Sequence, residues 1–264
     1  MLSWLFELLK LPEIKHMKNI EELNAVESTI LHKKIVKKKR FLRELYLEFY
    51  GIFKENTNDI PDGFKIELGS GGGFLKEVIS DVITSDVLEL PDVDKVFFGE
   101  KIPYPDKSVS AFFLLGTLHH IKEPNDFLAE VNRCLKPGAK LIMIEPANTL
   151  FSRFFYKHIH HEHFDDKKSE WKVDGEGRLA DSNIALPWII FDRDREKFLT
   201  KYPHLEIIQV SEHTPFRYWL SGGLSYKEMV PSGSFEFFTN IEKLLSPFHN
   251  ILGSFMTIVV KKSE

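Results

Sequence analysis

The sequence predicts an α/β fold in which helices cover both faces of a mostly parallel sheet. First, short apolar runs alternate with amphipathic segments over residues 64–146. Second, the first of these runs has an acid near its end and is followed by four glycines in five positions, in FKIELGSGGGFLKEVI at 64–79. A glycine turn after a strand lets the backbone approach a ligand closely, because a residue without Cβ adopts positive φ and leaves no side chain in the way.

Composition describes an ordinary globular chain of 264 residues, with 43% hydrophobic residues, 28% charged residues and a net charge of −4. This length fits one large domain that carries an insertion. Since there is no overall basic field, we do not expect nucleic acid as a partner. A single cysteine, Cys134, excludes an internal disulfide and fits a cytoplasmic protein.

The N-terminal segment, residues 1–60, is predicted to be helical. Its start, MLSWLFELLKL, carries Glu7 and Lys10 and lacks a cleavage site, so we do not expect export. It is too short for a transmembrane span; we expect it to dock on the domain or on a partner subunit, with peripheral membrane contact as the alternative. The basic run at 32–41 predicts a solvated helix face, and no oligomeric state follows from the sequence.

Regular elements are predicted over two stretches, which form the core domain at 61–146 and 191–264. The first contains the strands Phe64–Leu68, Val82–Val87, Val93–Phe98, Val109–Leu115 and Ala139–Glu145, and the helices Phe74–Ser80 and Asn125–Leu135. The second contains the helix Asp194–Lys201, the strand Leu205–Val210, the helix Phe235–Leu245 and the closing strand Ser254–Lys261. Between them the alternation stops, and residues 147–190 are predicted to be an inserted substrate lid.

Two ligands compete for the glycine turn: a dinucleotide and S-adenosylmethionine. The dinucleotide fingerprint G-x-G-x-x-G, counted from Gly69 and Gly71, needs glycine where Phe74 stands. The pattern that fits is acid-x-Gly-x-Gly-x-Gly, formed by Glu67, Gly69, Gly71 and Gly73. Such a turn offers N–H groups to a carboxylate and an acid to an ammonium group.

With its further motifs the chain resembles the class I S-adenosylmethionine-dependent methyltransferases. These motifs are Asp86 at the end of VITSDV, GEKIPYPDKSVSAFFLLGTLHHI at 99–121, EVNRCLKPGAKLIMIEP at 130–146 and GSFMTIVVKK at 253–262. The resemblance implies a Rossmann-like sheet of seven mostly parallel strands and S-adenosyl-L-methionine as cofactor. It also implies that the acid and glycines of the turn hold the methionine end, and that Asp86 accepts hydrogen bonds from the ribose hydroxyls.

Three further cofactor contacts are predicted at Phe98, Glu100 and Leu115. Many relatives have Asp two residues before the Glu100 position, where this chain has Phe98. We expect Phe98 to flank the adenine ring and Glu100 to take the polar role, with Leu115 at the end of the fourth strand.

Histidines are the candidate catalytic residues, because an amine or hydroxyl acceptor must lose a proton. His120 follows the fourth strand, and the open alternatives are a base near the methyl group and a structural histidine. For the His-rich run at 154–166 three uses remain open: a metal site, a base or substrate contact, and surface histidines. We assign His161 to catalysis and no residue to a metal.

Aromatic and basic residues downstream are the candidate acceptor contacts. Tyr156 and Trp188 are predicted to wall the pocket, with core packing as the alternative, and Arg217 is predicted to recognise an acidic group. The predicted function is methyl transfer from S-adenosylmethionine to a small-molecule, glycan or lipid-linked acceptor. The alternatives are a noncatalytic S-adenosylmethionine-binding module and a nicotinamide-dependent reductase.

Overall fold

A computed structural model describes residues 8–15, 26–160, 162–175 and 181–263. These residues form one sheet of seven strands in the order β3-β2-β1-β4-β5-β7-β6. The strands are β1 (Phe64–Leu68), β2 (Val82–Asp86), β3 (Lys95–Val96), β4 (Val109–Leu115), β5 (Leu135–Pro146), β6 (Leu205–His213) and β7 (Phe255–Lys262). Strand β7 runs antiparallel between β5 and β6, and the other pairs are parallel. The predicted Rossmann-like α/β architecture is confirmed.

The longer helices are α1 (Val26–Lys38), α2 (Arg40–Glu55), α3 (Pro124–Cys134), α4 (Leu150–His158), α5 (Arg195–Lys201) and α6 (Phe235–Leu244). Shorter turns of helix lie at Pro12–Lys15, Leu75–Glu77, Leu118–His120, Leu186–Trp188, Ile189–Arg193, Arg217–Leu220, Ser232–Ser234, Ser246–Phe248 and His249–Leu252. In the described parts of the chain, no helix has the length and apolarity needed to cross a membrane.

Two apolar cores lie on opposite faces of the sheet, and β4 contributes to both. Phe112 and Leu114 pack into the core that α3 and α5 cover, whereas Phe113 packs into the core that α2 covers. Burial on both faces explains why β4 reads as a continuous apolar run rather than as an alternating one.

The helix predicted at Phe74–Ser80 is wrong, since only the single 3₁₀ turn Leu75–Glu77 forms there. The chain must reach β2 at Val82, which leaves no room for a longer helix. Helix α2 covers this face instead: the rings of Tyr46 and Tyr50 contact Phe74, with centroids 6.2 and 5.0 Å apart. The N-terminal segment therefore completes the core.

The basic run at 32–41 is only partly solvated, contrary to the sequence prediction. Ile35, Val36 and Lys39 are buried. The Lys39 ammonium donates hydrogen bonds to the carbonyls of Gly223 and Tyr226, at 2.6 and 2.7 Å. The predicted docking of the N-terminus involves residues 1–7, which lie outside the described residues, and residues 8–15. In the second group, Leu11 N–H donates a hydrogen bond to the Ser225 carbonyl.

Candidate active site

The glycine turn follows β1 and has the backbone shape that its sequence predicts. Gly69 and Gly71 have φ values of +66° and +46°, where side chains are strained. A Cβ at Gly69 would lie 2.5 Å from the Thr117 side chain, and one at Gly73 would lie 2.6 Å from the Tyr50 hydroxyl. The turn is therefore pressed against both the loop after β4 and helix α2.

Glu67 lies beneath this turn, in β1, and is only 2% exposed. Its Oε2 atom is buried and has no hydrogen-bond partner among the described residues. Burial raises the pKa of Glu67 to about 7, although the nearby Ser70 hydroxyl opposes this shift. A buried carboxylate oxygen without a donor is costly, so this atom is suited to a cationic ligand.

Asp86 is the last residue of β2 and ties that strand to the glycine turn. Its Oδ2 accepts a hydrogen bond from Gly71 N–H at 2.9 Å, and its Oδ1 accepts one from Leu88 N–H at 2.9 Å. Burial raises the pKa of Asp86, while these donors oppose the shift. The carboxylate thus stands beside the glycine turn at the carboxyl edge of the sheet, where open α/β sheets bind ligands.

A cavity of about 100 Å³ lies beside the turn. Its walls include Ser70 and Gly71 of the turn, the loop 90–93, and Thr29, Ile30 and Lys33 of helix α1. Lys33 also pairs with Asp92 across the cavity at 2.6 Å. Sequence reasoning missed the α1 residues; the spacing of Thr29 and Lys33, one helical turn apart, was the available signal.

A second group of polar side chains lies at the carboxyl ends of β4 and β5. Glu145 is fully buried, and its Oε1 accepts hydrogen bonds from the N–H groups of Thr117 and Leu118, at 2.8 and 2.7 Å. Its Oε2 lies 2.7 Å from Nδ1 of His119. On the other side of that ring, Nε2 lies 3.2 Å from Glu162 Oε2.

His119 is consequently an imidazolium held between two carboxylates. Burial alone would lower its pKa, but the Glu145 and Glu162 carboxylates raise the pKa of His119 to about 10. Reciprocally, although burial opposes the shift, His119 holds the pKa of Glu162 well below its usual range.

His120 differs from His119 in its protonation state. Burial and the charge of His119 lower the pKa of His120. Its Nδ1 lies 3.2 Å from the Asp181 carbonyl, which only accepts, so the ring proton belongs on Nδ1. The unprotonated Nε2 lies 3.9 Å from Glu162 Oε2.

Residues 66–143, which contain the turn, Asp86 and both histidines, match the family model described as a methyltransferase domain. This part of the chain is a methyltransferase domain. No significant match exists among curated protein sequences.

Solved structures with a similar fold include two methyltransferases. The chain is 16% identical to an S-adenosylmethionine-dependent methyltransferase from Thermotoga maritima, covering 92% of this chain and 98% of that one with a TM-score of 0.48. It is 12% identical to geranyl diphosphate C-methyltransferase from Streptomyces coelicolor A3(2), covering 88% of this chain and 84% of that one with a TM-score of 0.49. These likenesses are too distant to identify an acceptor.

The cofactor of the methyltransferase domain is S-adenosylmethionine, and the turn suits this molecule. The unpartnered oxygen of Glu67 provides an acceptor for an ammonium group, and the positive-φ glycines let backbone come close to the ligand. When bound, the cofactor supplies an electrophilic methyl group on a sulfonium.

Of the predicted cofactor residues, Gly71 and Gly73 line the cavity, whereas Glu67, Gly69, Asp86, Phe98, Glu100 and Leu115 do not. Phe98 is 49% exposed, and Glu100 Oε1 lies 3.5 Å from the N–H of Glu123. Leu115 is partly buried against the core that α2 covers. Their contacts with the cofactor remain predictions.

Of the predicted catalytic and substrate residues, the structure gathers His120 and Tyr156 near Glu162. Tyr156 is buried, donates its hydroxyl proton to the Ser254 carbonyl at 2.6 Å, and packs edge-on against His160. Trp188 is partly buried against the core that α3 and α5 cover. His161 lies outside the described residues.

Arg217 does not have the free guanidinium that the prediction of an acidic-substrate contact requires. It is 4% exposed, and it pairs with Glu242 at 2.6 Å and with Glu48 at 2.5 and 2.7 Å. Two carboxylates already satisfy its donors, so Arg217 joins α2 to α6.

Sequence reasoning gave no role to Glu145. Its position offered a signal, because it is an acid near the end of the apolar run LIMIEP, as Glu67 is in FKIEL.

Proposed function

We propose that this methyltransferase methylates a hydroxyl or amine of a small-molecule acceptor bound at the carboxyl ends of β4 and β5. Glycan and lipid-linked acceptors are the other classes compatible with the sequence. The proposal is supported by the position of His120 in the short helical turn after β4. Thr117, at the start of that turn, lies directly against Gly69 of the glycine turn. The cofactor turn and the histidines thus meet at one edge of the sheet.

The chain's main tasks in methyl transfer are to position the acceptor and to exclude water, because the sulfonium is already an activated donor. An acceptor hydroxyl or amine must also give up a proton as its bond to the methyl carbon forms. We assign this proton to Nε2 of His120. A positioned base of this kind contributes typically about 10²–10⁴-fold to rate.

The single observation that supports His120 best is its hydrogen bond to the Asp181 carbonyl. This bond puts the proton on Nδ1 and leaves the basic lone pair on Nε2, which lies on the side of the ring that faces Glu162. His119 cannot act in this way, because both of its nitrogens face carboxylates. His120 is therefore the base, and His119 positions it from beside, with ring centroids 4.2 Å apart.

The inserted segment at 147–190 is the proposed cover of the acceptor pocket. In the chain it follows the N-terminal segment at 1–60 and the first part of the core at 61–146, and it precedes the second part of the core at 191–264. It carries Glu162 and Asp181, both of which contact the histidines. Asn183 N–H also donates to the His119 carbonyl at 2.9 Å. Buried Trp171 and Val173 anchor the segment in the core.

Turnover tests this proposal. Formation of S-adenosylhomocysteine is measured with panels of small-molecule, glycan and lipid-linked acceptors, and the active acceptor is then used with His120→Asn and with His204→Ala, an exposed histidine. We expect a small molecule to be methylated, with kcat lowered by about 10²-fold or more in His120→Asn and unchanged in His204→Ala. Full activity of His120→Asn would remove the base assignment, and turnover confined to glycans or lipids would overturn the acceptor class.

A further inference from the structure

Three potential metal ligands converge beside the carboxyl ends of β4 and β5. Among the described residues, His119, His120 and Glu162 each offer one ligand atom, and these atoms all lie within 4.8 Å of one another. The two Nε2 atoms lie 3.2 and 3.9 Å from Glu162 Oε2. Ligand atoms bound to one metal at about 2.1 Å lie roughly 3–3.4 Å apart, so small side-chain movements would complete the site.

Both imidazoles are held in the orientation that metal-binding histidines have. Nδ1 of His119 contacts the Glu145 carboxylate and Nδ1 of His120 contacts the Asp181 carbonyl, so both Nε2 atoms face Glu162. A metal-ligating histidine almost always donates its other N–H to a carboxylate or a carbonyl, which fixes the ring. Glu145 is in turn fixed by two backbone N–H groups.

We propose that His119, His120 and Glu162 form a binding site for a divalent first-row transition metal. Two imidazoles and one carboxylate suit Zn²⁺, Co²⁺ or Fe²⁺, whereas Mg²⁺ and Ca²⁺ prefer oxygen ligands. Three protein ligands leave a coordination position open, as in reactive rather than structural metal sites. Glu162 and the histidines are half-buried or buried, so the protein shields the site from bulk water.

The metal occupies the place of the proton that His119 and Glu162 share. It also uses the Nε2 lone pair that acts as base in the proposed function, so the two uses exclude each other at any one time. Metal binding itself does not depend on methyl transfer, and only its inhibitory consequence rests on the proposed function.

Cobalt absorption tests the site without an acceptor. The untagged full chain is stripped with a chelator and titrated with Co²⁺, alongside Glu162→Gln, His120→Asn and the exposed control His204→Ala. We expect one saturable Co²⁺ site with ligand-field absorption in the wild type and the control, and loss of that signal in both pocket variants. Zn²⁺ displaces the cobalt and excess Mg²⁺ does not.

Circular dichroism of each variant distinguishes loss of a metal ligand from loss of the fold. If Glu162→Gln does not fold, His120→Asn tests the site instead, since His120 lies outside the ion pairs of His119 with Glu145 and Glu162. Absence of saturable cobalt binding by the wild type, or equal binding by both folded variants, overturns the site. Bound cobalt that stops turnover supports both proposals. If cobalt binds and turnover is unchanged, the metal site stands and His120 is not the base. If cobalt does not bind and turnover depends on His120, then His120 is the base and the metal site is overturned.

Discussion

Two buried glutamates near the ends of β1 and β5, the strands on either side of β4, have opposite surroundings. Glu67 in β1 leaves Oε2 without a partner among the described residues, and burial raises its pKa to about 7. Glu145 in β5 accepts from two backbone N–H groups and faces His119. Since an unpaired buried carboxylate destabilises a fold, we propose that Glu67 pairs with the bound ligand. Glu145 is already paired, so it acts as a positioning residue.

The largest effect is expected at the satisfied glutamate. Glu145→Ala removes the partner of the His119 imidazolium and the acceptor of two backbone N–H groups, so we expect the free energy of unfolding to fall by about 3–5 kcal/mol. Urea unfolding measures this loss, with the exposed Glu89→Ala as control, for which we expect a change within about 0.5 kcal/mol. Equal stability of the two variants would show that Glu145 does not stabilise the fold, and would contradict the difference proposed between Glu145 and Glu67.

The unsatisfied glutamate is expected to behave in the opposite way. Its pKa in the folded chain, about 7, lies above its ordinary value of 4.5, so the folded state binds the extra proton. The contribution of Glu67 to the stability of the wild type therefore falls as pH rises from about 4.5 to about 7. Glu67→Gln lacks this charge, and we expect it to be more stable by up to about 3 kcal/mol above pH 7, with the gain shrinking toward pH 5.

Thermal unfolding at pH 5 and pH 8 measures that gain, and calorimetry with S-adenosylmethionine measures its functional cost. We expect Glu67→Gln to bind the cofactor more weakly than the wild type although it is more stable. A variant that loses stability at pH 8, or that keeps full affinity, would show that the free oxygen does not await a ligand.

A third prediction concerns Asp86, the other acid beside the glycine turn. It already accepts two backbone hydrogen bonds, yet we predict that it also contacts the ribose. Asp86→Ala should weaken cofactor binding by about 1–3 kcal/mol, measured by calorimetry against the control Asp81→Ala, whose side chain is largely exposed. An unchanged dissociation constant would limit Asp86 to holding the turn.

The smallest effect is expected where helix α1 closes the cavity. Lys33→Ala removes the pair with Asp92, which is largely exposed, so we expect cofactor affinity to fall by at most about fivefold at low salt and by less at high salt. The neighbouring exposed Lys34→Ala is the matched control. Loss of affinity in both variants alike would indicate a general charge effect rather than closure by α1.

Local sequence pattern was sufficient to place each strand and the turn, although the predicted strand at Val93–Phe98 forms only at Lys95–Val96, and β5 and β6 are longer than predicted. The bounds of β1 and β4 agree with prediction to the residue, because each is a short apolar run with polar residues or glycine at its ends. The positive φ values of Gly69 and Gly71 also follow from residue type alone. The segment after β1 is where local pattern failed: Phe74–Ile79 has helical periodicity, yet the distance to β2 permits only one turn.

The amino-acid sequence by itself determined the α/β class, the succession of strands along the chain and the turn that suits S-adenosylmethionine, since each depends on residues close together in the chain. Only the tertiary structure decided that α2 covers the sheet beside the turn, that Glu48 and Glu242 neutralise Arg217, and that Glu162 meets His119. The physical reason is that these contacts join residues dozens of positions apart. Periodicity shows that a side chain is buried or charged, but packing and charge pairing across the fold choose its partner.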